Sequence, residues 1–107
     1  MEIKIYADAQ GYAPFEQWLN QLPDRLARAN IRARLTRLEA GNFGDCKPLR
    51  EGVQELRINH GAGYRVYLSR QGSVLVLLLS GSDKSDQARE ITRAIAYLND
   101  WKERGKP

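Results

Sequence analysis

Two short alternating segments on either side of a Gly-rich turn constrain the fold more than any other feature of the sequence. Leu56 and Ile58 alternate with polar neighbours before the turn, and Val66 and Leu68 do so after it. Successive side chains of a strand point to opposite faces, so each segment has one apolar and one polar face. The pair therefore predicts an antiparallel hairpin with an apolar core on one side.

The polar face of this predicted hairpin carries two arginines and a tyrosine. Arg57, Arg65 and Tyr67 all point to it, and Glu55 points the same way. Guanidinium groups raised on a rigid sheet suit a site that holds phosphate in fixed geometry, because each donates several hydrogen bonds. The same pattern is also typical of a solvated sheet face whose arginines have no specific role.

Prolines, glycines and hydrophobic periodicity divide the rest of the chain into further elements. Pro14 suits the first turn of a helix, Pro23 ends that helix, and Asp24 can cap the next one. The run from Val74 to Leu79 is apolar on both faces, which predicts the most buried strand, near the sheet centre. The predicted elements are strands at 2–7, about 53–59, 64–70 and 73–80, and helices at 14–22, 25–40 and about 85–102.

These elements predict one α+β domain that covers residues 1–107. The order β-α-α-β-β-β-α favours a mainly antiparallel sheet with the helices packed on one face. A chain of 107 residues is large enough for one compact core but not for two. The opposite face of the sheet would then be uncovered, and Arg57, Arg65 and Tyr67 would lie there.

Composition narrows the choice of partners and of cellular compartment. The 17 Lys and Arg exceed the 13 Asp and Glu, and the net charge of +4 favours an anionic partner such as nucleic acid. Cys46 is the only cysteine, which excludes an internal disulfide or a multi-thiolate metal site and fits a reducing cytoplasm. The first residues lack the apolar segment of a signal peptide, and no run is long enough to span a membrane. We therefore expect a cytoplasmic protein that needs no metal, cofactor or membrane.

Further basic residues could converge on the predicted polar face. Lys84 follows the buried strand and can lean over that face near a helix N-terminus, where backbone amides also attract anions. Lys47 and Arg50 precede the second predicted strand, near its entry edge. Each could equally be a solvated side chain. The second predicted helix carries five arginines, at 25, 28, 32, 34 and 37. They could form a solvated helix face, or they could contact the phosphates of a nucleic acid or an acidic segment of a protein.

Several short motifs occur in a fixed order along the chain. They are Lys47-Pro48-Leu49, Glu55-Leu56-Arg57, Gly63-Tyr64-Arg65-Val66-Tyr67 and the basic loop Gly81–Gln87. With these motifs the chain resembles the RelE/ParE superfamily of toxins from type II toxin–antitoxin modules, and in particular the HigB-like addiction module killer proteins. The resemblance implies a RelE-like, microbial-ribonuclease-like fold. It also implies an endoribonuclease toxin that cleaves mRNA on the ribosome, inhibits translation and is neutralised by a cognate antitoxin, a small helix-turn-helix protein.

The resemblance also implies roles for individual residues. Arg65 matches the phosphate-contacting arginine of the family, and Arg57 and Lys84 occupy positions where relatives carry basic residues. These three are the predicted catalytic residues. Relatives have a tyrosine in the last helix where this chain has Gln87 or Arg89, which leaves the general acid open.

The remaining site residues are predicted to bind RNA or to transfer protons. Lys47, Arg50 and Tyr67 are the predicted RNA-binding residues. RNA carries its own nucleophile, the 2′-OH, so metal-independent cleavage needs positioning, charge stabilisation and proton transfer. Glu55 and Tyr64 are candidates for proton transfer, although Glu55 could instead balance the charge of an arginine. The lone His60 cannot form a two-histidine pair and is predicted to be a loop residue.

Two alternative functions stay open at this point. One is a ParE-like inhibitor of DNA gyrase, which has the same fold and no nuclease activity. Members of that branch generally lack a basic cluster on the sheet, so Arg57, Arg65 and Lys84 argue against it. The other is a non-catalytic RNA-binding module with the same basic face.

Overall fold

The computed structural model describes all 107 residues, and its elements follow the order β-α-α-β-β-β-β-α. The helices are α1 (Pro14–Gln21), α2 (Arg25–Glu39) and α3 (Gln87–Glu103), and the strands are β1 (Glu2–Ile5), β2 (Cys46–Pro48), β3 (Gln54–Ile58), β4 (Tyr64–Gln71) and β5 (Leu75–Asp83). A single 3₁₀ turn, Lys84–Asp86, joins β5 to α3. The edge strand β2 is an element that the sequence did not predict. None of the helices is both long and apolar enough to cross a lipid bilayer.

The five strands form one mostly antiparallel sheet in the order β1-β5-β4-β3-β2, and only β1 runs parallel to its neighbour. The predicted hairpin is confirmed, since Leu56 pairs with Val66 and Arg57 pairs with Arg65. The apolar run that was predicted near the centre lies mainly in β5, one place away from the central strand β4. The α+β class and the mainly antiparallel sheet are thus as expected.

Helices cover both faces of the sheet, so the prediction that they pack on one face is wrong. On one face α1 and α2 pack against β3, β4 and β5 through the apolar cluster Phe15, Leu19, Ile31, Leu38, Leu56, Ile58, Val66, Leu68, Val76 and Leu78. On the other face α3 packs through the cluster Tyr6, Val53, Tyr67, Leu77, Leu79, Ala94, Ile95, Leu98 and Trp101. The physical reason is that β5 is apolar on both sides, and each apolar face must be shielded from water.

A β-bulge shifts the alternation of side chains in β5. Tyr67 pairs with Ser80 whereas Leu68 pairs with Leu78, so Leu79 is an extra residue in this strand. Bulges of this kind place two successive side chains on the same side of the sheet. After the bulge, Gly81 faces α1 and Ser82 faces the α3 side.

Candidate functional site

Arg57 and Arg65 lie directly opposite each other on β3 and β4. Directly opposed residues of an antiparallel pair point to the same face, with Cβ atoms about 5 Å apart. The alternation of both strands puts the two arginines on one face, as predicted, but α3 packs on that face, which we expected to be uncovered. Each of them is held by a carboxylate.

Arg65 forms an ion pair with Glu55, one of the most buried residues of the protein. Arg65 Nε lies 2.9 Å from Glu55 Oε1, although the two groups are not aligned as a hydrogen bond. The side chain of Glu55 is 1% exposed, and that of Arg65 is 11% exposed. The amide of Gln87, the first residue of α3, donates to Glu55 Oε2 over 2.6 Å. One oxygen of Glu55 thus accepts a hydrogen bond and the other faces the guanidinium, and the ion pair holds Arg65 against the sheet.

Arg57 is paired with a more exposed carboxylate. Its Nε and Nη2 donate to Asp45 Oδ1 over 3.1 and 2.8 Å, and about two fifths of each side chain is exposed. The hydrogen bond from Arg57 lowers the pKa of Asp45, and the same contact raises the pKa of Arg57. Because solvent reaches this pair, an incoming anion can compete with Asp45 for the guanidinium.

Arg65 and Lys84 line one hollow, which we call the arginine hollow; it also includes residues 59–63 and has a volume of about 350 Å³. The backbone N–H of Lys84 donates to the carbonyl of Gly63 over 3.1 Å, which holds the start of the 3₁₀ turn against the β3–β4 turn. Since Arg57 is the strand neighbour of Arg65, the structure brings the three predicted catalytic residues close together.

Contacts with α2 and its N-cap residue also hold the β3–β4 turn in place. Nε2 of His60 lies 3.0 Å from Asp24 Oδ2, and Nδ1 lies 3.2 Å from the side-chain nitrogen of Asn30. The other oxygen of Asp24 caps α2 through the backbone amides of Leu26 and Ala27. The hydrogen bond from the backbone amide of Ala27 and, after it, the contact with His60 lower the pKa of Asp24. His60 is thus a turn residue, as predicted, and it links the arginine hollow to the N-terminus of α2.

The two tyrosines of the predicted site do not lie beside its cations at the surface. Tyr67 is completely buried beneath α3, and its hydroxyl lies 3.0 Å from Ser82 Oγ. Burial raises its pKa to about 12. Its predicted place on an open face is wrong, and a direct contact with RNA is inconsistent with this burial. Tyr64 lies on the opposite face from Arg65, packed against Trp18 in the α1–α2 core, so it is not placed for proton transfer there.

The two remaining basic residues lie in different places. Lys47 is exposed on the edge strand β2, directly opposite Glu55 and on the same face as the arginines. Arg50 lies in the β2–β3 turn beside another hollow, which Arg70 and Lys102 also line. We expected five basic residues on one surface. Four of them lie on the same side of the sheet or border the arginine hollow, and Arg50 lies apart from these four.

Sequence reasoning missed three side chains that organise the site. Asp45 lies between the second predicted helix and the next predicted strand and was not considered for the site. Gln87 was noted only in place of a tyrosine, and Arg34 was grouped with the other arginines of α2. Arg34 Nη1 donates to the carbonyl of Arg57 over 2.6 Å, and its Nη2 donates to Phe43 and Asp45 carbonyls over 3.2 and 3.5 Å. The Gly44-Asp45 turn before β2 was the only local signal for any of these contacts.

No family model matches the chain. A protein of Haemophilus influenzae that is described as uncharacterized is 52% identical to it over 80 residues, which are 75% of this chain and 81% of the relative. The chain belongs to the same family as this Haemophilus protein. The description of that relative specifies no activity, so the chemistry of the family has to be argued from the site.

The arrangement suits the binding of an anion by several cations. Two arginines and a lysine border one surface, and neighbouring carboxylates or carbonyls hold the arginines in defined orientations. Guanidinium groups stay charged and bind phosphate oxygens in a bidentate manner. No group of three His, Cys, Asp or Glu side chains is placed to ligate a metal ion.

Proposed function

We propose that this protein is the toxin of a type II toxin–antitoxin module, a HigB-like member of the RelE/ParE superfamily with a RelE-like fold. In this proposal it is an endoribonuclease that cleaves mRNA on the ribosome and so inhibits translation. The main observation in its favour is the position of Arg57 and Arg65 opposite each other, with Lys84 bordering the same hollow as Arg65.

The proposed reaction uses the nucleophile that RNA itself carries. The 2′-hydroxyl gives up its proton as its oxygen attacks the adjacent phosphorus and forms a new oxygen–phosphorus bond. The bond from phosphorus to the 5′-oxygen of the next nucleotide breaks, and that oxygen takes up a proton, so the products are a 2′,3′-cyclic phosphate and a 5′-hydroxyl. Arg65 would hold the phosphate in the transition state, assisted by Arg57 and Lys84, because negative charge builds up on its oxygens. No metal or cofactor takes part in these steps.

The carboxylates would have different roles. Glu55 is buried and both of its oxygens are engaged, so it suits the positioning of Arg65 better than proton transfer. Asp45 is partly exposed and adjoins Arg57, but its lowered pKa makes it a weak base. With so few acid–base groups, the proposed enzyme would depend on the ribosome to orient its substrate.

The proposal also names partners and a compartment. A cognate antitoxin, a small helix-turn-helix protein, would keep the toxin inactive. Since mRNA and ribosomes are its targets, the protein would act in the cytoplasm. Lys47 lies on the same face as the arginines and would contact the RNA backbone, as would Arg50 from its separate position.

Expression of the protein in bacteria, followed by mapping of mRNA ends, tests the proposal. The wild type should arrest growth and produce cuts in phase with codons, whereas Lys84→Ala should reduce these cuts at least tenfold and Arg65→Ala should abolish them. Arg32→Ala is the matched control and should retain activity, because Arg32 is an exposed arginine of α2 whose side chain makes no hydrogen bond or ion pair.

Folding of the variants must be checked because Arg65→Ala leaves Glu55 buried without its cation. Lys84 is exposed, so Lys84→Ala separates a loss of function from a loss of fold. Damaged DNA with intact mRNA would contradict the proposal and favour inhibition of gyrase. Intact DNA and intact mRNA would favour a non-catalytic RNA-binding module.

A further inference from the structure

A second hollow lies between α1, β5 and α3 and shares no residue with the arginine hollow. We call it the α1–α3 hollow; its volume is about 310 Å³. It forms where β1 ends, because the pairing of β1 with β5 stops at Ile5 and Leu78. Beyond that point the outer edge of β5 is flanked by the two helices instead of by a strand.

The α1–α3 hollow is acidic, although the protein as a whole carries a net charge of +4. Asp83, Asp86 and Glu90 line it, together with a single cation, Arg93. The side chain of Glu90 is 9% exposed, and Arg93 Nη1 donates to its Oε1 over 3.2 Å. No other hydrogen bond reaches the carboxylate of Glu90, and a nearly buried charge with a single partner favours a further cation.

Ser80 provides a second and independent indication of a ligand. This residue lines the hollow and is 1% exposed, and its Oγ has no hydrogen-bond partner. Most buried hydroxyl groups in proteins are hydrogen-bonded. The free oxygen of Ser80 can accept a hydrogen bond from an N–H group of a ligand in the hollow.

Aromatic side chains complete the lining. Tyr12, Trp18 and Tyr97 border the hollow, and Tyr12 is 49% exposed at its rim. The faces of aromatic rings attract organic cations, and carboxylates beside them strengthen the attraction. This combination of aromatic rings, acids and a hydroxyl acceptor differs from the basic surface around Arg65.

We propose that the α1–α3 hollow binds an organic cation, either a guanidinium or an alkylammonium group, between Glu90, Ser80 and the aromatic side chains. The cation is supplied by an arginine or lysine of another protein or by a free polyamine-like molecule; the chemistry of recognition is the same for both. The proposal does not depend on the nuclease activity.

Arg93 has a defined place in this proposal as an internal competitor. Its guanidinium occupies one oxygen of Glu90, and half of its side chain is exposed, so it can move into solvent when a ligand arrives. Removal of Arg93 should therefore raise the affinity of the hollow for a cationic ligand, and removal of the Glu90 charge should lower it.

Titration followed by amide chemical shifts in NMR spectra tests the proposal. The probes are agmatine and the blocked peptide acetyl-Gly-Arg-Gly-amide, and the corresponding citrulline peptide is the neutral control. Saturable shifts are expected at residues 80–83 and 90–93 with a cationic probe and not with the citrulline peptide. Binding of the arginine peptide but not of agmatine assigns the cation to a protein partner, and the reverse assigns it to a small molecule.

Variants decide whether the hollow is the binding site. Glu90→Gln should weaken binding at least tenfold, Arg93→Ala should strengthen it at least threefold, and Glu103→Gln, the same charge change at an exposed position of α3, should leave it unchanged. If Glu90→Gln proves unstable, Tyr12→Ala at the exposed rim decides the question through a several-fold loss. Absence of saturable binding by both cationic probes, or equal binding by the citrulline peptide, would overturn the proposal.

Discussion

At position 81 strand β5 passes beneath the indole ring of Trp18, and a Cβ atom there would overlap the ring. A glycine inside a strand normally weakens it, so its presence calls for a packing reason. The reason here is the close approach of α1 to the sheet. Trp18 of α1 packs at that contact.

Gly81→Ala is therefore expected to lower the free energy of unfolding by about 3 kcal/mol, as overpacking of a core does. Urea denaturation followed by circular dichroism measures the change. In a Trp18→Leu background the same substitution should cost much less, because the overlapping ring is gone. An equal cost in both backgrounds would show that the ring is not responsible.

Single residues also show what alternation can and cannot predict. It placed Arg57 and Arg65 on one face correctly, since pairing and period determine which way a strand residue points. The same alternation turns Tyr64, next to Arg65 in the strand, to the other face, and the choice of Tyr64 for proton transfer overlooked this. Alternation could not reveal that α3 would bury Tyr67, because the two-residue period of a strand does not show which helix covers each face.

At the scale of elements, Arg34 connects α2 to the loop before β2 and to β3. Its guanidinium donates to the carbonyls of Phe43, Asp45 and Arg57, and the amide of Arg57 in turn donates to the carbonyl of Asp45 over 2.9 Å. The planar fork of an arginine can reach several carbonyls at once, which an ammonium group cannot do in the same geometry.

Arg34→Lys should therefore loosen this loop while the helices stay intact. We expect the backbone amide of Arg57 to exchange with solvent at least tenfold faster, as measured by hydrogen exchange in NMR spectra. Arg32→Lys, two residues earlier in α2 and exposed, should leave that rate unchanged. Unchanged exchange in Arg34→Lys would mean that the loop is held by other contacts.

The sequence did not predict two short features of the sheet, the edge strand β2 and the bulge in β5, and the reason is physical. The edge strand β2 has three residues and contains Pro48, so it is too short to show a period and includes a residue that is rare in strands. The bulge at Leu79 adds one residue to β5 and reverses the alternation after it. Both depend on pairing with a neighbouring strand, which a local pattern does not contain.

At the scale of the whole molecule, the sheet separates two apolar cores, one under α1 and α2 and one under α3. The element order alone is compatible with helices on one face or on both. The apolar run of β5 was the deciding signal, because a strand that is apolar on both sides needs cover on both. We used this run to predict burial but not to assign α3 to the second face.

The same architecture distributes hydrogen-bonded aspartates around the molecule, and they determine its response to acid. The pKa is lowered for Asp24 chiefly by the amide of Ala27, and for Asp100 chiefly by the hydroxyl of Tyr6. The pKa of Asp45 and that of Asp83 are also lowered, by hydrogen bonds from the side chains of other residues. A lowered folded-state pKa stabilises the protein above the ordinary value of 3.8, and this contribution is lost as the pH falls through the folded value.

Stability should therefore decrease between about pH 5 and about pH 3, and Asp100→Asn should reduce the size of that decrease. Urea midpoints at the two pH values measure it. Glu103→Gln, which removes an exposed carboxylate that accepts no hydrogen bond in the structure, should show the same decrease as the wild type. A decrease as large in Asp100→Asn as in the wild type would contradict the assignment to this aspartate.

The position of Glu55 has a consequence for the selection of ligands at the arginine hollow. Arg65 is neutralised by Glu55 before any ligand arrives, so an isolated phosphate ion gains little energy from that guanidinium. We expect a polyanion to gain more, because it would reach Lys84, Arg57 and Lys47 along with Arg65. If the proposed function is right, the surface would discriminate by the number of linked phosphates, because Glu55 and Asp45 already pair with the two arginines.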